Sequence, residues 1–429
     1  MREKMKLTPL ERSWILYDIG NSAFILLVST IIPIYFESLC SAAGLSNADY
    51  LAQWSFAGSI STLIVAFVGP VCGTMADRKG FKKPIFLLSL ILGALGCAAL
   101  GAAWSYMSFV VIFIIAKVGY NSANVFYDSM LPEVASRERM DNVSSLGYAY
   151  GYIGSVIPFV LCLAVVLGNE VIGISMTTAM VIAFLLTAVW WVGCTLPLIR
   201  NYQQTAFVEA HGNPVTEAFR QLWSTFQDAK KHKHILLYLL AFFFFIDGVY
   251  TIIEMATAYG TSLGLDSTGL LLALLWTQIV AFPFAILFGR LAAKHDTGKL
   301  IKVCILAYTG ITLFAVFLMS QWQFWLLATL VGMFQGGIQA LSRSYLGKIV
   351  PPERSGEYYG LMDICGKGAS FLGLFLVGIV SSLTDGMTYR LFGLELQSQS
   401  LAVGSLVVIF AIGYIIFCKA DKLNKARTE

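Results

Sequence analysis

Apolar stretches long enough to cross a bilayer fill this sequence, and nearly all of its basic residues lie between alternate pairs of them. A hydrocarbon core of about 30 Å takes roughly 20 apolar residues of helix to span. Twelve such runs are present, at 13–37, 50–75, 84–103, 105–130, 144–167, 171–196, 235–260, 268–291, 299–319, 322–346, 357–383 and 400–419. Hydrophobic residues make up 57% of the chain and charged ones 13%, about half the charge of an ordinary water-facing protein. Without water to bond, every backbone amide and carbonyl has to be satisfied inside the segment itself, which favours helices. The sequence therefore predicts an all-α membrane protein with twelve transmembrane helices.

The charges give the threading. Of 29 lysines and arginines, 26 fall on one side of an alternating path through these runs. They occupy both tails, the central loop and the turns after runs two, four, eight and ten. Arg390 is alone on the other side, and Lys117 and Lys367 lie deep inside runs, away from either end. The positive-inside rule makes the rich side cytoplasmic, with both termini there. An odd number of spans would scramble this segregation. The net charge of +4 is then a topological signal and calls for no nucleic-acid partner. The first run carries Asp18 and Asn21 and has no small-residue cleavage site, so a retained helix is expected rather than a signal peptide. The eight cysteines are scattered without a CxxC, so neither a disulfide framework nor a metal site or cofactor is expected. No HExxH or GxxxxGK[ST] motif is present, which argues against an enzyme or an ATP-driven pump within the chain.

The chain also repeats itself. Gly73-Thr-Met-Ala-Asp77-Arg78-Lys79-Gly80-Phe-Lys82-Lys83 follows the second run, and Gly289-Arg-Leu-Ala-Ala293-Lys294-His-Asp296-Thr-Gly298-Lys299 follows the eighth. Two pseudo-symmetric six-helix bundles are expected, at 1–196 and 235–429, with a site near the bilayer midplane between them. The linker, 197–234, holds an amphipathic helix: Asn213 can cap it, Pro214 open it, and Val215, Phe219, Leu222, Trp223 and Phe226 recur at helical spacing. Lys230, Lys231 and Lys233 follow, so the helix is expected to lie on the cytoplasmic leaflet. His232 and His234 read as solvated loop residues with no third ligand.

Ionisable groups inside spans point to the transport path. A charge at mid-bilayer costs at least ~2.5 kcal/mol, so it faces a polar cavity or a partner. Lys117, Asn121, Asn124 and Asp128 make a polar stripe along span four, with Tyr120 beside it. Asp247, Tyr250 and Glu254 share one face of span seven. Span ten offers Gln335 and Gln339; span eleven offers Asp363 and Lys367, whose spacing also suits a simple pair along one helix. Asp18 in span one is a further coupling candidate.

The Gly73–Lys83 turn resembles the signature loop of the major facilitator superfamily. Several segments resemble one branch of it, the vacuole-effluxer-like group named for fungal vacuolar amino-acid exporters. They are Ser13-Trp14-Ile-Leu-Tyr17-Asp18-Ile-Gly-Asn21-Ser22-Ala23-Phe24, Phe126-Tyr127-Asp128-Ser-Met-Leu131-Pro132-Glu133, Ser144-Ser145-Leu-Gly147-Tyr148-Ala-Tyr-Gly151-Tyr152-Ile-Gly154, Ser342-Arg343-Ser344 and Glu357-Tyr358-Tyr359-Gly360. The resemblance implies spans one, four, seven and ten around a central cavity. It also implies a cytoplasmic latch in which Asp77 bonds a neighbouring helix end, with Gly73, Arg78, Gly80 and Arg343 among the gating residues. The second turn departs from the pattern, with Ala293 where the aspartate belongs and Asp296 displaced, so the latch is expected at Asp77 alone.

The resulting expectation is a secondary transporter in a bacterial inner membrane, moving a small polar solute by alternating access. Amino-acid efflux coupled to protons is what the resemblance implies. Lys117 and Lys367 are expected to attract a substrate carboxylate, and Asp247 and Glu254 to take an ammonium group or a proton. Tyr120, Asn121, Asn124, Tyr250, Gln335 and Gln339 would line the site, and Asp18 and Asp363 would be further proton candidates. A facilitator or exporter of another small solute (sugar, drug-like or lipid-like) is the alternative, with a channel or receptor more remote.

Overall fold

The computed structural model describes residues 6–209, 213–227, 233–384, 389–391, 394–396 and 398–428. Its long helices are α1 (Pro9–Ala42), α2 (Asn47–Ala76), α3 (Lys82–Ala99), α4 (Tyr106–Ser129), α5 (Met140–Leu167) and α6 (Met176–Asn201), then the linker helix α7 (Pro214–Gln227). The second half adds α8 (Lys233–Ser262), α9 (Ser267–Ala292), α10 (Thr297–Val316), α11 (Gln321–Ile349), α12 (Ser355–Leu383) and α13 (Leu406–Thr428). Among the described residues eleven helices are long and apolar enough to cross a membrane, and α12 adds the shorter apolar stretch Leu372–Leu383. That is the twelve-helix architecture. A small antiparallel hairpin, β1 (Tyr389–Leu391) with β2 (Leu394–Leu396), interrupts the all-α pattern between α12 and α13.

Local chemistry explains where the helices begin. Thr8 and Glu11 form a reciprocal capping box with Pro9 at the first helical position, so α1 starts before the apolar run does. Ser105 and Ser108 do the same for α4, and Asp266 caps α9. Prolines 33, 70, 158, 197 and 283 remain inside helices. Large apolar side chains such as Phe67 (72% exposed) and Leu95 (65%) point outward, as expected where the solvent is lipid.

Lipid tails are as apolar as leucine, so helices associate here through close packing of small residues rather than through the hydrophobic effect. The contact of α3 with α4 shows this. Gly96 lies so close to α4 that a Cβ on it would come within 2.8 Å of Ala116 Cα. A Cβ on Gly119 would overlap the Gly93 backbone.

By contacts the chain divides into two compact units. One comprises Met1–Ser136, Tyr150–Leu222 and Pro351–Gly360; the other comprises Arg137–Ala149, Trp223–Val350 and Leu361–Glu429. Each unit thus includes a short segment drawn from the opposite half of the sequence.

Gly119→Ala is expected to lower the melting temperature of the purified protein by several degrees, since overpacking costs about 1–3 kcal/mol. Gly310→Ala, where nothing lies within 4 Å of the added carbon, should leave it unchanged or slightly raised. Thermal unfolding in detergent of the two variants side by side checks the pair.

Candidate functional site

In the first unit the turn after α2 is bonded to the start of α12. Gly80 takes a left-handed φ of 78°, which lets the chain reverse into α3. Asp77, fully buried, accepts the amides of Gly356 (2.7 Å) and Glu357 (2.9 Å) through its two carboxylate oxygens. These are orphan amides in the first turn of α12, where negative charge is favoured. Gly73 permits the approach, because a Cβ there would overlap the Gly356 carbonyl. Lys82 is also fully buried, with its Nζ 3.7 Å from Asp77, 2.8 Å from Glu133 and 2.9 Å from Ser355 Oγ. Glu133 further accepts the Tyr202 hydroxyl at 2.9 Å and the amides of Thr205 (2.6 Å) and Ala206 (3.0 Å), which pins the start of the linker. Arg78 pairs with Glu217 of α7, and Gln221 of α7 donates to Glu357 at 2.9 Å. Burial pushes the Asp77 carboxyl up to about 7, against the opposing pull of Lys82 and the two amides.

The second unit holds the repeat of this turn in altered form. A Cβ on Gly289 would stand 2.7 Å from Ser145 Cβ, the same kind of close approach as at Gly73. Asp296 is displaced because it caps α10, accepting the Lys299 amide at 3.0 Å, and it pairs with Lys425 at 2.8 Å. The carboxylate at this contact comes instead from Asp141 in the first turn of α5. It accepts Ser344 Oγ at 2.6 Å and Thr297 Oγ1 at 2.7 Å, and it pairs with Lys348. Arg343, buried, donates to the hydroxyl and the carbonyl of Ser144, both at 2.9 Å, and its guanidinium lies 4.3 Å over the Tyr148 ring. Sequence reasoning singled out Asp77 and Arg343 but missed Asp141 and the anchoring role of Glu133. An acidic residue beside a charged turn looks like any helix start, and Glu133 stands out only within the Leu131-Pro132-Glu133 segment that carries the family resemblance.

The mid-span candidates separate into groups. Asn124 accepts the Tyr17 hydroxyl and the Asn21 amide, both at 3.1 Å, so it ties α4 to α1. Asp18 belongs to the same cluster, 3.5 Å from Asn21 Nδ2. Tyr120 packs its ring against Phe24 and Trp191 at centroid distances of 5.1 and 5.7 Å. Asn121 is buried; Lys117 is half-buried, its ammonium 5.7 Å from the Phe113 ring centroid. In the second unit Asp247 is fully buried, and its Oδ1 accepts the Gly373 amide of α12 at 3.0 Å. Tyr250 and Gln339 are half-buried, and Glu254 is exposed. Gln335 lines a cavity of about 40 Å³ with Thr277, Gln278, Ile252 and Phe324. Asp363 is half-buried on α12; the side chain of Lys367, one turn on, lies outside the described residues, as do Lys230, Lys231 and His232. His234 corrects the solvated-loop expectation: it is buried in the first turn of α8, its Nε2 3.0 Å from Arg427.

Comparison with known proteins gives a consistent picture. Residues 10–412 match the family described as vacuole effluxer Atg22 like. An uncharacterized MFS-type transporter of Bacillus subtilis (strain 168), YxiO, is 38% identical over 96% of this chain and 94% of its own length. Autophagy-related protein 22 of Kluyveromyces lactis is 22% identical, with 89% of each chain covered. The fold is similar to that of the transporter FucP in its outward conformation, at TM-score 0.69 and 16% identity over 96% of this chain and 97% of that one. The proton:xylose symporter XylE gives the same score at 12% identity, over 96% and 94%.

The Asp77 contact is expected to depend on pH. Its carboxyl takes a proton near 7 when latched, whereas an exposed aspartate does so near 3.9. The latched arrangement is therefore favoured most fully below about pH 4 and loses that advantage as pH rises through 7, by up to about tenfold per unit. Spin labels at exposed Lys79 and Glu353 should show a longer-distance population growing between about pH 4 and 7, and Asp77→Asn should remove the dependence. A wild-type distance distribution that ignores pH contradicts this.

Proposed function

This chain belongs to the vacuole effluxer Atg22-like family and is a membrane transporter of the major facilitator type, and from that premise we propose that it exports a small zwitterionic solute, of the amino-acid class, by alternating access coupled to protons. The observation that carries the proposal is Asp247, a carboxyl fully buried in the interior of α8 with no basic side chain bonded to it among the described residues. Such a group in a membrane helix has to be neutral, paired with substrate or in transit between those states.

The roles follow from the chemistry. Lys117, with Lys367, attracts the substrate carboxylate. Asp247 and Glu254 take the ammonium group or the coupling proton, with Asp363 and Asp18 as secondary proton groups. Tyr120, Asn121, Tyr250, Gln335 and Gln339 supply polar lining, while Asn124 acts by holding α1 to α4. Two bundles, 1–196 and 235–429, rock about this site on the linker 197–234. Gating falls to the Gly73–Gly80 turn with Asp77 and Arg78, and to Arg343. The Bacillus relative and the charge segregation support a bacterial cell membrane with both termini in the cytoplasm.

Reconstitution in liposomes tests this. A pH gradient should drive accumulation of at least one labelled amino acid in a broad panel. Lys117→Ala should raise KM for it about tenfold, the equivalent of ~1.4 kcal/mol for one charge-assisted contact. Asp247→Asn should lose gradient-driven accumulation while retaining exchange of substrate across the membrane. Unchanged flux in both variants would sink the assigned site.

A further inference from the structure

One buried hydroxyl in α8 breaks a pattern kept by the buried threonines elsewhere. Thr74, Thr187, Thr195, Thr277 and Thr312 each donate to the carbonyl four residues earlier, at 2.6–3.0 Å. Thr297, the remaining one, bonds Asp141. Thr251 does neither: its hydroxyl is buried and has no hydrogen-bond partner among the described residues. The carbonyl it declines is that of Asp247, and Asp247 Oδ2 is likewise buried without a partner, although Oδ1 is bonded to the Gly373 amide.

Both orphaned oxygens face the space left by the missing side chain of Gly373. A Cβ built there would overlap Thr251 Oγ1 and lie 3.1 Å from Asp247 Oδ2. An ionised carboxylate oxygen that is buried demands donors, because each oxygen carries charge. A neutral carboxyl has a different requirement. Its carbonyl oxygen accepts, as Oδ1 does from Gly373, and its other oxygen bears a hydrogen that needs an acceptor.

We propose that Asp247 carries its proton on Oδ2 and that the Thr251 hydroxyl is the acceptor that holds it there, so that Thr251 sets the pH at which the site loads. This rests on the reading of Asp247 as the coupling carboxyl. Loading forms one O–H bond on Oδ2, and the hydroxyl of Thr251 turns about its Cα–Cβ bond to accept from it; release breaks that bond and returns the proton to water. Among the described residues, the groups that can be named around the pair are these. Glu254, on α8 itself, acts on Asp247 through its charge. From α12 comes the Gly373 amide, with Asp363 and Lys367 nearer the start of that helix, and from α13 comes the apolar ring of Phe410 against Gly248. Thr251 is therefore a positioning residue, acting through Asp247.

Infrared titration of the purified protein, with the proton as the only ligand, reads this directly. A protonated-carboxyl carbonyl band that Asp247→Asn abolishes should titrate in the wild type. In Thr251→Val, which keeps the shape and removes the acceptor, its midpoint should move about one unit or more to the acid side, a tenfold or greater loss of proton affinity. Thr251→Ser should restore the wild-type midpoint, which separates loss of the hydroxyl from general disturbance of packing. An unshifted midpoint in Thr251→Val, or the absence of a band sensitive to Asp247→Asn, overturns the proposal. An intact, shifted band in a protein that transports nothing under a pH gradient upholds it and overturns the functional reading instead.

Discussion

A polar group inside a bilayer has no water to fall back on, and much of this molecule is arranged around that constraint. Its helices satisfy their own backbones, so the groups left over are helix-end amides, side-chain hydroxyls and a handful of charges. Those leftovers are where helices are joined. Asp77 satisfies two orphan amides at the start of α12, and Glu133 gathers a lysine, a tyrosine and two linker amides around one carboxylate. Carboxylates placed at helix starts give these contacts direction as well as strength. Elsewhere helix association depends on close approach, as at Gly93 with Gly119, because lipid offers no hydrophobic gain from joining two apolar faces.

The two turns that repeat along the sequence show how the same contact survives the loss of its central residue. In the first, the acid lies in the turn (Asp77) and the partner helix offers bare amides. In the second, Ala293 replaces the acid, and the helix approaching Gly289 supplies one of its own, Asp141, to Ser344, Thr297 and Lys348. Electrostatics does not depend on which strand of the contact carries the charge. Substituting the acid of one turn therefore does not remove a charged contact from the other unit, and the asymmetry visible in the sequence is smaller in space.

Much of the architecture was legible from the sequence, because a bilayer imposes a fixed length on apolar runs and a fixed side on basic residues. Twelve runs and their segregated charges led directly to the helices. The turn at Asp77 was legible too, since glycines and a lone acid between apolar runs have few other uses. Side-chain direction was not. Asn124 shares a helical stripe with Lys117, and only the approach of Tyr17 and Asn21 from α1 shows that it bonds both. His234 follows three basic residues and a histidine and read as loop, but α8 begins a residue before it and buries it beside Arg427. Thr251 looked like any membrane threonine; its distinction lies in a bond it does not make.

Helix α12 ties these observations together. It runs unbroken from Ser355 to Leu383, and two carboxyl groups bond its backbone amides: Asp77 at its first turn and Asp247 at Gly373 in its interior. An amide bonds an ionised carboxylate roughly twice as strongly as a neutral one. On the proposed mechanism, a change of charge at Asp247 therefore alters how firmly the interior of α12 is held at Gly373.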